Sequence, residues 1–218
     1  MLDRLFRRTE GPGEQDTKRQ SISRRKVPRH SSGWAKTLER LKSQEGLHVL
    51  DIGPTSPTNI NFLTSLGHSV FMSDLVEESN RPEWVKKSTD GDPDTYDTEA
   101  FIGKHMDFGQ RIFDVVLLWD ALDYIPVPMA GGIVHRLHEC MMEGGELLGL
   151  FHARATGQET VFCRYHLTDG DNVEMQEHAT HPLVRVYPNR AIENLFAEFR
   201  ACRFFLAKDN LCEVIVTR

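Results

Sequence analysis

The sequence predicts an α/β fold: a doubly wound, mostly parallel sheet that finishes antiparallel. Three observations carry this expectation. Short apolar runs end repeatedly in an acid, at Asp51-Ile52-Gly53, at Asp74 and at Trp119-Asp120. Between the first two runs lies a helix-length segment with Ile60, Leu63 and Leu66 on one face, so the flanking strands must run parallel. The C-terminal part instead carries a helix and two strands joined by a tight turn, which suits an antiparallel close.

Trp34, Leu38 and Leu41 fall at helical spacing and predict a first helix from Ser32 to about Ser43, stopped by Gly46. Residues 47–53 form a short apolar strand. The next helix has Ser56 as N-cap and Pro57 at its first position, and Gly67 closes it. Ser69 to Asp74 reads as the second strand. Residues 77–100 are polar and acidic and are expected to form an insertion, with Trp84 pinning part of it. Ile102 to Asp107 is a candidate strand. Phe113 to Trp119 is nearly unbroken in apolar character, as a central parallel strand covered on both faces should be.

Ile133, Val134, Leu137 and Met141 mark a helix ended by Gly144-Gly145, and Glu146 to Phe151 is another buried strand. Residues 155–187 form a second insertion, with a hairpin of Thr160–His166 and Asn172–His178 around Asp169-Gly170 and a possible strand at Leu183–Tyr187. Pro188-Asn189 opens a last helix with Ile192, Leu195, Phe196 and Phe199 inward. Cys202–Ala207 and Leu211–Thr217 are the closing strands, around Lys208-Asp209-Asn210.

The 218 residues suffice for one domain, expected over 32–218. Residues 1–31 are rich in Arg, Ser, Gly, Pro and Gln and are expected to be a disordered basic tail. The net charge of −6 is uneven. Residues 1–33 carry nine Lys/Arg against four acids, and the rest of the chain seventeen against twenty-eight. Such a tail suggests a nucleic-acid or anionic-membrane contact, but a solvated tail is the simpler reading. Without an apolar run of bilayer length, an export signal or a C-x-x-C pair, the four cysteines read as free thiols in a cytoplasmic protein.

In an open α/β sheet, ligands bind beyond the carboxyl ends of the strands. Asp51/Gly53, Asp74, Asp107/Phe108 and Trp119/Asp120 are expected to line that rim. Asp120, Asp123, Tyr124 and His152 follow the fourth and fifth strands on the expected acceptor side, and His152 is the residue best tuned for proton transfer near neutral pH. His135 with His138, and His166 with Glu177, His178 and His181, lack a coherent ligand set, so no metal is expected.

These segments resemble the class I S-adenosylmethionine-dependent methyltransferases. The likeness rests on Val49-Leu50-Asp51-Ile52-Gly53, Asp74, Asp107-Phe108, Phe113-Asp114-Val115-Val116 through Tyr124, and Leu137 through Leu148. It implies a seven-stranded, Rossmann-like methyltransferase fold with an antiparallel last strand, and S-adenosylmethionine as cofactor. It also implies that Gly53 permits close approach of the ligand, that the following helix start receives the methionine carboxylate, that Asp74 binds the ribose hydroxyls, and that Asp107 and Phe108 flank the adenine, with Asp51 and Trp119 beside them. The glycine loop departs from the family: Pro54-Thr55-Ser56-Pro57 follows Gly53, so the hydroxyls of Thr55 and Ser56 are expected to help where glycine amides are missing. The implied reaction is methyl transfer to a small-molecule acceptor, with Asp120, His152 and Tyr124 as catalytic candidates. A non-catalytic scaffold and a nucleic-acid methyltransferase using the basic tail are the competing readings.

Overall fold

The computed structural model describes residues 25–87, 95–155, 159–206 and 209–218. In chain order the elements are β1 (Lys26–His30), α1 (Ser32–Ser43), β2 (His48–Ile52), α2 (Pro57–Ser65), β3 (Ser69–Ser73) and α3 (Leu75–Ser79), then β4 (Val85–Lys86), β5 (Thr95–Tyr96), α4 (Thr98–His105), β6 (Phe113–Trp119) and α5 (Val127–Cys140). They continue as β7 (Met141–His152), β8 (Glu159–His166), β9 (Asn172–Pro182), α6 (Asn189–Leu195), β10 (Ala201–Phe205) and β11 (Leu211–Thr217), with 3₁₀ turns at Pro82–Trp84 and Ala121–Asp123.

The main sheet has six strands in the order β10-β11-β7-β6-β2-β3. β3, β2, β6 and β7 run parallel, while β11 lies antiparallel between β7 and β10. This is the expected Rossmann-like plan with one strand fewer than the seven expected. The segment meant to supply the missing strand, Ile102–Asp107, lies mostly in α4. Asp97 caps that helix through its bond from the Ala100 amide, at 3.2 Å. Phe101 and His105, one turn apart, then stack on each other and meet Trp84 edge-on. Trp84 itself is buried and donates to the Glu78 carbonyl, so it does pin the described part of the acidic insertion.

A three-stranded antiparallel sheet, β1-β9-β8, holds the expected hairpin and adds an unexpected strand. Lys26–His30 was expected within the tail. It pairs instead with Gln176–Asn172, and Arg29 is buried against Glu213 and Asp209, at 2.5 and 2.6 Å. The rest of the predicted tail, residues 1–24, lies outside the described residues. So do Asp90, Asp92 and Asp94 of the acidic insertion. Leu183–Tyr187 forms no strand; its first amides bind the Asp123 carbonyl instead.

Each face of the main sheet buries its own core. α1, α2 and the small sheet cover Val49, Val115, Leu117, Leu148 and Leu150, with Trp34 fully buried among them. α3, α4, α5 and α6 cover Leu50, Ile52, Val116, Leu118 and Leu147. Alternating side chains along β2 and β6 serve both cores, which is why these strands read as continuous apolar runs.

Candidate functional site

The carboxyl ends of β2, β3, β6 and β7 form one rim, and the hairpin β8–β9 reaches across it. Phe162 of β8 meets Tyr124 at 5.0 Å between ring centroids, and Tyr165 stacks on Trp119 at 4.7 Å and 5°. Trp119 ends β6 with φ of 50°, a left-handed conformation uncommon for a bulky residue and frequent at functional sites. A register shift in the β6–β7 ladder accompanies it. The turn lets its indole donate to Asp51 Oδ1 at 2.7 Å and lie close over Gly53.

Asp51 is buried at the end of β2. Its second oxygen accepts from Asn59 of α2 at 2.8 Å, and burial pushes its carboxyl up to about 6 against these two bonds. Asn59 also donates to the Tyr165 carbonyl and accepts from the Leu167 amide. One amide side chain thereby joins β2, α2 and the hairpin. No sequence motif announced Asn59 or Tyr165, because Asn59 and the hairpin residues it joins lie more than a hundred residues apart.

The predicted cofactor residues divide into three groups. Asp51, Gly53 and Trp119 are brought together, chiefly in contact with one another. Asp74 follows β3, half-buried; one oxygen accepts from the Glu77 amide at 3.3 Å as the N-cap of α3. Burial raises its carboxyl, opposed by that amide and by the charge of His178. Thr55 is exposed beside the start of α2. Ser56 is buried, caps α2 through the Asn59 amide and hydrogen-bonds His166 Nδ1 at 2.9 Å. His166 in turn meets Gln176, at 3.0 Å.

Asp107 and Phe108 do not join the rim. Asp107 is exposed and accepts from the Gly109 amide in a local turn. Phe108 is buried edge-on against Phe71 and Phe113, the first residue of β6, and belongs to the core.

The three catalytic candidates do assemble. Asp120, Tyr124 and His152 are all buried beside the 3₁₀ turn that follows β6. Among the described residues the Tyr124 hydroxyl has no hydrogen-bond partner, whereas the Tyr165 hydroxyl lies close enough to Asp120 to help hold its carboxyl down. Burial pushes Asp120 up to about 7; the charge of His152 opposes this and that of Asp123 adds to it. Burial likewise raises the Tyr124 phenol. Asp123 Oδ2 accepts both the His152 backbone amide at 2.6 Å and its ring Nδ1 at 2.8 Å. Burial opposes the His152 imidazolium, but Asp123 and Asp120 more than compensate and raise its pKa.

The buried Tyr124 hydroxyl, without a partner among the described residues, and the buried Asp120 carboxyl near it suit a ligand that brings donors and positive charge, because such groups are costly when left unsatisfied. Asp74 is half-exposed at the end of β3, though amides of Glu77 and Val76 already bear on its carboxylate. The residues therefore fit a nucleoside carrying an ammonium and a sulfonium, through carboxylates rather than through glycine amides. Among the described residues, no group of His, Cys, Asp and Glu is arranged to hold a metal ion, and the cysteines are free.

The sequence profile of the methyltransferase domain matches residues 24–199. The chain belongs to this family. Among solved structures it is similar to TehB from Haemophilus influenzae, at 14% identity and TM-score 0.46, over 84% of this chain and 61% of that one. It is also similar to the 1,6-didemethyltoxoflavin-N1-methyltransferase of Burkholderia thailandensis, solved with S-adenosylhomocysteine, at 15% identity and TM-score 0.47, over 86% and 79% of the two chains. The PH0226 protein of Pyrococcus horikoshii OT3 matches at 10% identity and TM-score 0.50, over 85% and 88%. At these identities the likeness concerns the fold. The chain thus spans less than two thirds of the TehB chain. The comparison with curated proteins found no match. Among the described residues, no helix is long and apolar enough to cross a membrane.

Proposed function

We propose that this chain transfers the methyl group of S-adenosylmethionine to a small-molecule acceptor held between the sheet rim and the hairpin β8–β9. The observation that carries the proposal is the buried group of Asp120, Tyr124 and Tyr165 beside an oriented His152, with the Tyr124 hydroxyl left without a partner among the described residues. The cofactor, when bound, supplies an electrophilic methyl on a sulfonium, and transfer then depends mainly on alignment. Asp74 would take the ribose hydroxyls, the exposed Thr55 and the start of α2 the methionine carboxylate, and Asp120 the ammonium. Tyr124 and His152 would face the acceptor. Asp107 and Phe108 have no role in this arrangement.

Calorimetric titration with S-adenosylhomocysteine tests it. One saturable site is expected; no heat at about millimolar ligand, with the protein folded, would reject it. A non-catalytic binding role is favoured by one observation, the indole of Trp119 lying over Gly53, and the same titration separates the two readings. Nucleic acid is disfavoured as acceptor, because Arg29 and Lys26 of the basic segment are already paired with acids. If residues 1–24 nevertheless hold phosphates, their deletion should flatten the salt dependence of binding to duplex DNA.

A further inference from the structure

The methyl-transfer reading leaves the acceptor open, and the surroundings of His152 narrow it. Asp123 sits in the 3₁₀ turn after β6, with its side chain fully buried. A carboxylate oxygen can only accept, and Asp123 Oδ2 faces Nδ1 at 2.8 Å, so Nδ1 carries the ring proton. The same oxygen takes the His152 amide, at 2.6 Å, which fixes the backbone from which the ring springs. The carbonyl of Asp123 is also held, by the amides of Val184 and Arg185. Neither the turn nor the ring is therefore free to rotate. In the neutral ring, Nε2 is left with a bare lone pair, and it has no protein partner among the described residues. His152 remains 7% exposed, so a proton taken there has a way out to solvent.

We propose that Asp123 is the positioning residue that makes His152 Nε2 the proton acceptor of the site, and that the substrate is methylated on a hydroxyl of phenolic or enolic acidity. A neutral amine attacks with a lone pair it already has and can lose its proton afterwards. A hydroxyl must lose its proton as it attacks, so a fixed base aids that step directly. As the acceptor oxygen bonds to the methyl carbon, the carbon–sulfur bond breaks and its electron pair passes to sulfur. The hydroxyl proton moves to His152 Nε2 and is later released to water. The closeness of pKa values makes an imidazole a better match for a phenol or enol than for an aliphatic alcohol. The rings of Tyr124, Phe162 and His181, packed at 5.0 to 6.4 Å from one another, supply the apolar surroundings such an acceptor favours.

The groups facing His152 are Asp123 from the turn, Asp120 from the end of β6, Tyr124 beyond it and Asp209 before β11, with Cys163 and His181 of the hairpin across Tyr124. Of these, only Asp123 bonds the ring. This inference rests on the methyl-transfer reading, and the test keeps the two apart. The His152 titration is followed by proton NMR in the wild type, Asp123→Asn and Asp123→Glu. The spectrum of p-nitrophenol is recorded on each protein saturated with S-adenosylhomocysteine.

The inference expects Asp123→Asn to bind S-adenosylhomocysteine normally while its His152 midpoint moves down. The bound phenolate fraction should fall by roughly tenfold for each unit of that movement, and Asp123→Glu should recover part of both. An unmoved His152 midpoint, or equal phenolate in wild type and Asp123→Asn, would overturn it. So would failure of p-nitrophenol to bind when S-adenosylhomocysteine does. If S-adenosylhomocysteine itself does not bind the wild type, the methyl-transfer reading falls first.

Discussion

Asp120 shows how one buried side chain trades stability for a site. Its carboxyl is almost fully covered, and burial pushes its pKa up to about 7 against the charge of His152 and the Tyr165 hydroxyl. The folded state therefore holds a proton that the unfolded chain, near pKa 3.9, releases earlier. Folding stability should fall as pH rises from about 4 to about 7. His152 acts in the same direction: with its folded pKa raised, its contribution is complete below about 6.5 and is lost as pH rises through the folded value. Asp120→Asn keeps the shape and removes the charge. Urea unfolding should find the variant more stable than wild type near pH 8, on the order of 3 kcal/mol, with the difference vanishing below about pH 4. Methyl transfer, once an acceptor is in hand, should weaken. A variant less stable than wild type near pH 8 would mean that Asp120 is ionised and internally paired.

At the scale of elements, two long-range anchors set the architecture above the rim. Asn59 ties α2 to β2 and to the hairpin through Asp51, Tyr165 and Leu167. Its loss leaves three buried groups without partners. Asn59→Ala should lower unfolding stability by about 3 kcal/mol, and more than exposed Asn→Ala changes do. Arg29 ties β1 to β11 through Glu213, whose other oxygen accepts from the Gly33 amide at 2.7 Å. Arg29→Ala should cost about 3–5 kcal/mol by stranding the buried Glu213, as chemical unfolding would show; Arg29→Ala combined with Glu213→Leu should recover much of it.

These anchors also mark where sequence reading stops. α1 is legible because Trp34, Leu38 and Leu41 repeat with the helical period, and β6 because its seven residues are almost all apolar. β1 is not legible: Lys-Val-Pro-Arg-His becomes a strand only through the free edge of β9 and the acids that accept Arg29. α4 was hidden for another reason. Ile102 beside polar neighbours suggested a strand, while the deciding signals, the Asp97 cap and the Phe101–His105 pair, lie at its margins. In the site, Asp51, Asp74 and Asp120 are legible as strand-end positions while Asp107 follows a helix instead, and whether each acid is open or already engaged depends on distant partners.

For the molecule as a whole, two cores on opposite faces of a six-stranded mixed sheet hold the carboxyl rim still, and a second small sheet roofs it. This places His152, Asp120 and Tyr124 under an aromatic cover, where their burial strengthens charge–charge interactions. The arrangement also explains how the family's cofactor could be held after the glycine loop has changed. On the proposed reading, binding would depend on carboxylates and on displacement of the Trp119 indole, which rests on Asp51 and on Tyr165. A crystal structure with S-adenosylhomocysteine tests this most directly. The account predicts a nucleoside seated on the rim, its ribose hydroxyls on Asp74 and its amino group near Asp120. A ligand bound elsewhere, with Asp74 still bonded only to the α3 amides and the Trp119–Tyr165 stack in place, would contradict it.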